Sequence, residues 1–402
     1  MYKKITLITL AALVSVLALS ACSKTADPSS EPASSETKQT ETSSTSDDYS
    51  DSYNNVDDPS DIIDSQLKYY EEKGYTVDKE AGYVYTDAEG FVDDFGRKYD
   101  SEGIVIIYHL DVEKEVTIPE TINGKKVVGC VHSTFLIPEE NTFRMYNPCE
   151  KIIFPNDMND VYFTLSDAPD LEEVVLPQTQ TIIKSGMFYD CKKLSFVVLP
   201  DGVEIIKKGA FSYCESLDNY LVLPQNLTTI EEKAFLGCTS LTEVQFNDSL
   251  EEIGDFAFDS CSSLTIVTLP ENVKHIGKSC FGHCDNLCGI TLPESLTEIG
   301  GGAFSLSKIT RIVIPSKITI IDEKTFGGCS KLSEVVLNEG LQRIEKNAFN
   351  SCTSLKEIYI PATVEYISED AFNKCEDITI KGKSGSYAEK FAKEQGYEFI
   401  AS

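Results

Sequence analysis

Tryptophan is absent from the 402 residues. Positive charge is scarce: 35 Lys and Arg stand against 65 Asp and Glu, a formal net charge of -30. An acidic chain of this kind repels a polyanion, so binding DNA or RNA through phosphates is excluded and basic partners or cations are favoured. Catalytic signatures are also missing. The sequence has no H-E-x-x-H pair, phosphate-binding loop, G-x-S-x-G elbow or dinucleotide fingerprint. Asp94-Phe95-Gly96 stands alone, without the lysine strand or catalytic loop of a kinase. Asp87, Asp93, Asp94 and Asp100 do not have the spacing of a calcium loop and read as solvated turn carboxylates. What remains is a 41% hydrophobic fraction, enough for two or more ordinary domains or for one long repeat array.

The chain starts with Lys3 and Lys4, then an apolar run from Ile5 to Leu19, too short for a comfortable membrane-spanning helix. The run ends in Leu19-Ser20-Ala21-Cys22. This order resembles the bacterial lipoprotein signal. The resemblance implies cleavage after residue 21 and a lipid on Cys22, which places the mature protein on the extracellular face of the cell membrane. The alternative is an ordinary signal peptide cut near Ala21. Residues 22–59 are Ser, Thr, Asp, Glu and Pro with almost no apolar side chain. They cannot bury enough surface to offset ordering entropy and read as a disordered acidic tether.

Residues 60–103 form an N-terminal cap region. Asp58-Pro59-Ser60 can start a helix with Ile62, Ile63, Leu67 and Tyr70 on one side, and Gly74 ends it. Tyr83-Val84-Tyr85 and Ile104 to Tyr108 read as strands.

From about residue 104 to 380 the chain repeats itself. Phe188, Phe211, Phe235, Phe258, Phe281, Phe304, Phe326, Phe349 and Phe372 recur at intervals of 22 to 24 residues. A second column holds Pro177, Pro200, Pro224, Pro270, Pro293, Pro315 and Pro361, with Asn247 and Asn338 in its gaps. A third holds Cys191, Cys214, Cys238, Cys261, Cys284, Cys329, Cys352 and Cys375, with Ser307 in place of one member. Each unit reads as a short alternating strand stopped by Pro, a second short extended run, then Ala-Phe-x-x-Cys as a tight turn. No single unit hides its own Leu, Ile and Phe; stacked units do. The predicted fold is therefore mainly β, a solenoid of roughly 23-residue units with short helical turns and a cap at each end.

The pattern resembles the BspA-type leucine-rich repeat family of bacterial surface proteins. The stretch Ile118-Pro119-Glu120-Thr121-Ile122-Asn123-Gly124-Lys125-Lys126-Val127 resembles its opening repeat, and residues 381–402, with Ser386-Tyr387-Ala388 and Gly396 to Ile400, its closing helix and strand. The segment from Cys130 to Leu171, with Phe135 and Ile152 to Pro155, departs from the pattern and suggests two irregular repeats with longer loops. The resemblance implies an interaction protein, with extracellular protein or glycan, host matrix or other cells as partners, and no catalysis and no cofactor. A surface enzyme using residues 60–130, a substrate-capture lipoprotein and a self-associating envelope protein are the alternatives.

The column cysteines read as buried packing thiols; pairing between neighbours is the alternative, since repeats stack within disulfide range. His275, Cys280, His283, Cys284 and Cys288 are the one local cluster with metal-ligand chemistry, but their spacing is not that of a zinc site. Binding is expected on the strand face, where residues flanking each buried Val or Ile point outward. There Phe196, Val198, Tyr220 and Val222 would form an exposed apolar patch, provided that the one-residue insertion in that unit falls before Tyr220.

Overall fold

The computed structural model describes residues 67–92, 102–109, 114–131, 149–156, 158, 160–162, 165, 166 and 168–402. The leader, Cys22, the tether, Asp93 to Asp100 and Phe135 lie outside the described residues. The chain divides into a unit up to Gly74 and a unit from Tyr75 to the end. In the first, a short helix over 67–72 closes at Gly74, whose φ is 86°. Glycine is suited to this left-handed exit from a helix.

The second unit opens with three strands, Thr76–Asp78, Tyr83–Asp87 and Ile104–His109, paired antiparallel. The first of them has no clear sequence signal. The pattern turns parallel when Ile104–His109 meets Lys125–Val131, which then meets Asp160–Tyr162. Asn123 and Gly124, both with positive φ, turn Thr121–Ile122 back on Lys125–Val131 as a hairpin.

Two rows of parallel strands follow. The first runs through Glu115–Thr117, Lys151–Ile153, Glu173–Val175 and Phe196–Val198, then resumes at Tyr220–Val222 and continues to Glu398–Ala401. The second consists of two-residue strands from Ile182–Ile183 to Tyr366–Ile367. Equivalent residues pair in register: Ile183 with Ile206, Ile206 with Ile230, Ile230 with Ile253. Both rows are interrupted. The second row splits where one residue is missing, between Glu298–Ile299 and Ile320–Ile321; the first breaks at the inserted residue, between Phe196–Val198 and Tyr220–Val222, and at three further steps.

The nine column phenylalanines are all buried and stack ring on ring. Phe211 and Phe235 lie 5.2 Å apart at 2°, Phe258 and Phe281 5.4 Å apart at 4°, and Phe349 and Phe372 5.3 Å apart at 3°. Behind them every column thiol from Cys214 onward donates to the backbone oxygen of the preceding repeat's phenylalanine, Cys214 to Phe188 at 3.1 Å, Cys284 to Phe258 at 3.2 Å and Cys375 to Phe349 at 3.0 Å, while Cys191 donates to Leu165 O at 2.8 Å. Cysteine therefore suits this position as a small apolar body with a weak donor. The Ser307 hydroxyl meets the Cys329 sulfur at 3.3 Å.

The turns hold a feature with no simple residue signature. The residue before each column cysteine is left-handed in every repeat from Asp190 (φ 58°) to Lys374 (φ 62°), and only Gly237 and Gly328 are glycine there. The residue two before the phenylalanine is left-handed from Gly186 to Asn347, including Phe256 at 58°. Left-handed backbone costs an ordinary residue about 1–2 kcal/mol. Here it aims N–H groups at the next repeat: Phe256 donates to Lys278 O at 2.7 Å, Phe258 to Cys280 O at 2.8 Å and Ser260 to Gly282 O at 2.9 Å. Three backbone bonds per turn, each contributing about 1 kcal/mol, offset the strain.

Asn247 and Asn338 stand in for proline by bonding. The Asn338 amide donates to Pro315 O at 2.7 Å and accepts from the Gly340 N–H at 2.7 Å. Gln180 is a departure within the core: it is buried where the other repeats carry Val, Leu or Ile, and its Oε1 has no hydrogen-bond partner among the described residues. At the far end a helix, Tyr387–Gln395, lays Ala388, Phe391 and Ala392 over the last repeat and stops at left-handed Gly396. Phe391 lies 6.1 Å from Phe372, so the anticipated closing helix and strand are both present.

Candidate interaction face

Most three-residue strands bury their central side chain and turn the two flanking ones outward; in Phe196–Val198 and Gly289–Thr291 the centre is half-buried. In Arg311–Val313, Glu334–Val336 and Glu357–Tyr359 the centre is buried and both flanks are exposed. The outward residues form two ladders, one position apart in each strand.

On this face Phe196 is 38%, Val198 41% and Val222 50% exposed, while Tyr220 is half-buried. Tyr220 pairs with Glu243 in register, which places the inserted residue before Tyr220 as anticipated. The Tyr220 hydroxyl donates to Gln245 Oε1 at 2.7 Å, and burial, with the Glu243 carboxylate, pushes its phenol above the ordinary value. The phenol therefore stays a neutral donor, and the ring bridges two repeats. The strand ladder is interrupted between the Phe196 and Tyr220 strands, so the four side chains occupy successive turns without a shared hydrogen-bonded register.

A second apolar stretch, which the residue pattern did not single out, lies further along. Val313, Val336 and Tyr359 are each about 40% exposed in successive turns. Their ladder was legible in the sequence; their shared exposure belongs to the folded chain. Charged pairs border it, Arg311 to Glu334 at 2.9 Å and Lys381 to Glu357 at 2.6 Å.

The histidines and cysteines of the 275–288 cluster do not form a metal site. Cys280 and Cys284 are buried, and desolvation raises both thiols well above the ordinary value. His275 lies on the two-residue strand row beside Glu298 at 3.4 Å, and His283 lies on a turn, 3.0 Å from Asp259. Among the described residues no group of three or more His, Cys, Asp and Glu could hold a metal ion. Eleven cysteines, including all eight of the column, are free thiols. Among the described residues no helix is long and apolar enough to cross a membrane.

Stacked parallel units with a repeating strand, turn and buried aromatic define a leucine-rich repeat solenoid. The BspA type leucine rich repeat region matches residues 156–287, 205–331 and 251–379, and the chain belongs to that family. A leucine-rich repeat protein from Bacteroides ovatus is similar over 81% of this chain and 99% of its own, with 22% identity and a TM-score of 0.53; this likeness bears on the fold alone. A leucine rich cell surface protein from Faecalibacterium prausnitzii is 21% identical over 79% of this chain and 96% of its own, with a TM-score of 0.42. The pneumococcal vaccine antigen PcpA is 17% identical over 82% of this chain and 98% of its own, with a TM-score of 0.44. Among curated proteins none matches.

Proposed function

We propose that this is a lipid-anchored cell-surface adhesin that binds an extracellular protein or glycan, of host matrix or of other cells, through the three-residue strand face of its solenoid. The observation that carries the reading is the exposure of Phe196, Val198 and Val222 beside Tyr220, on a face whose other side chains alternate with a buried core. Apolar side chains exposed in successive turns support an interaction surface, and tyrosine is an effective anchor in such interfaces. Membership of a surface-protein repeat family supports an interaction role. The segments 1–21, 22–59, 60–103, 104–380 and 381–402 then serve as leader, anchored tether, first cap, binding solenoid and closing cap.

The double substitution Phe196→Asp with Tyr220→Asp should weaken binding to immobilised host-matrix material at least tenfold while leaving far-ultraviolet dichroism intact. Unchanged affinity on folded protein rejects the patch. The anchor is tested separately. Cells fed radiolabelled palmitate should label the protein, and Cys22→Ser should abolish the label; equal labelling of the two forms removes the anchor from the reading.

A further inference from the structure

The turn side of the solenoid carries an exposed aromatic pair that belongs to neither the core nor the strand face. Tyr189 is 41% and Tyr213 38% exposed, and their rings meet at 5.7 Å and 87°. The chain has no tryptophan, so tyrosine is its largest aromatic with a polar edge. Among the described residues neither of the two hydroxyls has a hydrogen-bond partner.

Tyr213 is held in place by its neighbour. Its backbone is left-handed, with φ at 61°, and the equivalent residue of the next repeat is Gly237. A Cβ on Gly237 would come within 2.7 Å of Tyr213 Cδ1. The ring thus lies directly over bare glycine backbone, with its position set before any ligand arrives. The same two turns carry an ion-pair cluster. Lys192 Nζ lies 3.7 Å from Asp190 Oδ1 and 3.5 Å from Glu215 Oε1, linking the residue after Tyr189 to the residue two beyond Tyr213.

We propose that Tyr189 and Tyr213, with the Asp190–Lys192–Glu215 charge cluster, form a binding site for a pyranose sugar, independent of the strand face. A pyranose ring has an apolar C–H face and a rim of hydroxyls. The C–H face stacks on an exposed aromatic ring, which supplies contact area at little cost in conformational entropy. The hydroxyls both donate and accept, and the two turns offer them two carboxylates, an ammonium and two phenols, charged partners making the stronger hydrogen bonds. A basic or purely apolar partner would use only part of this set.

The test is saturation-transfer NMR on the full chain with three probes at millimolar concentration: cellotriose, chitotriose and lacto-N-tetraose. At least one should take up saturation from the protein. Tyr213→Gly should reduce that signal at least fivefold, as should Tyr189→Ser, while Tyr213→Phe should retain it within about threefold. Glycine already occupies the position of Tyr213 in two other repeats, at φ 72° and 78°, so Tyr213→Gly removes the ring without straining the turn. Absence of transfer to all three sugars, or a signal unchanged by Tyr213→Gly, overturns the proposal.

Discussion

Phe372 ends the aromatic column against Tyr397, with ring centroids 6.4 Å apart and planes at 79°. Every earlier phenylalanine of the column meets the next one nearly parallel. At the last position the partner comes from the closing segment, with Phe391 tilted over the same ring. The edge-on contact stops the stack, because it offers no further parallel face on which another unit could continue.

A stack of this kind makes its central members the costly ones to remove. Phe281 lies between Phe258 at 5.4 Å and Phe304 at 6.2 Å and is fully buried. Phe281→Ala removes the ring's transfer free energy and opens a cavity, an expected loss of about 3–5 kcal/mol. Guanidinium unfolding of the variant checks it. A loss under about 1 kcal/mol would mean that the column packs loosely.

The column thiols of Cys214, Cys238, Cys284 and Cys329 should be inert in the folded protein. Desolvation raises Cys214, Cys238 and Cys284 well above the ordinary value and takes Cys329 to about 11. The thiolate is the nucleophile, so alkylation at pH 8 should leave these four unmodified until the chain is unfolded, as read by peptide mass mapping. The same shift ties stability to pH. The folded state holds the Cys329 proton more tightly than the unfolded chain does, so the contribution is complete below about pH 9 and is lost as pH rises towards 11. The melting temperature should therefore fall across that interval, and Cys329→Ser should flatten the fall. Rapid alkylation of native Cys214 would contradict the buried-thiol account.

Leu306 and Gly328 offer a test of the left-handed turn column. Leu306 has φ at 63° and is 48% exposed, and a Cβ on Gly328 would meet its Cδ2 at 2.5 Å. Gly328→Ala, at φ 78°, should cost about 1–3 kcal/mol, part of it strain and part the clash. Leu306→Gly should be neutral or stabilise by up to about 1 kcal/mol. In the Leu306→Gly background the Gly328→Ala cost should fall by at least about 0.5 kcal/mol, since neighbours in contact do not add. A strictly additive pair in thermal melts would show that the Leu306 side chain does not meet a Cβ at position 328.

The sequence by itself determined the repeat, its length, its buried columns and both flanking ladders of the strand face. Each of these follows from side-chain type at a fixed interval: a unit of 23 residues has no way to bury Phe258, Leu264 and Ile276 except against its neighbours, so the period alone compels stacking. The closing cap was legible through its resemblance to the family's closing helix and strand, which supply the final cover an array of apolar columns needs. Tertiary structure decided what depends on backbone bonds between repeats. The left-handed conformations of Tyr213, Phe256 and Leu306 have no local cause; they exist because their N–H groups find oxygens one repeat away. The seating of Tyr213 over Gly237 and the break between Phe196–Val198 and Tyr220–Val222 were likewise decided in space, where one missing or inserted atom group in the adjoining turn sets what a side chain can touch.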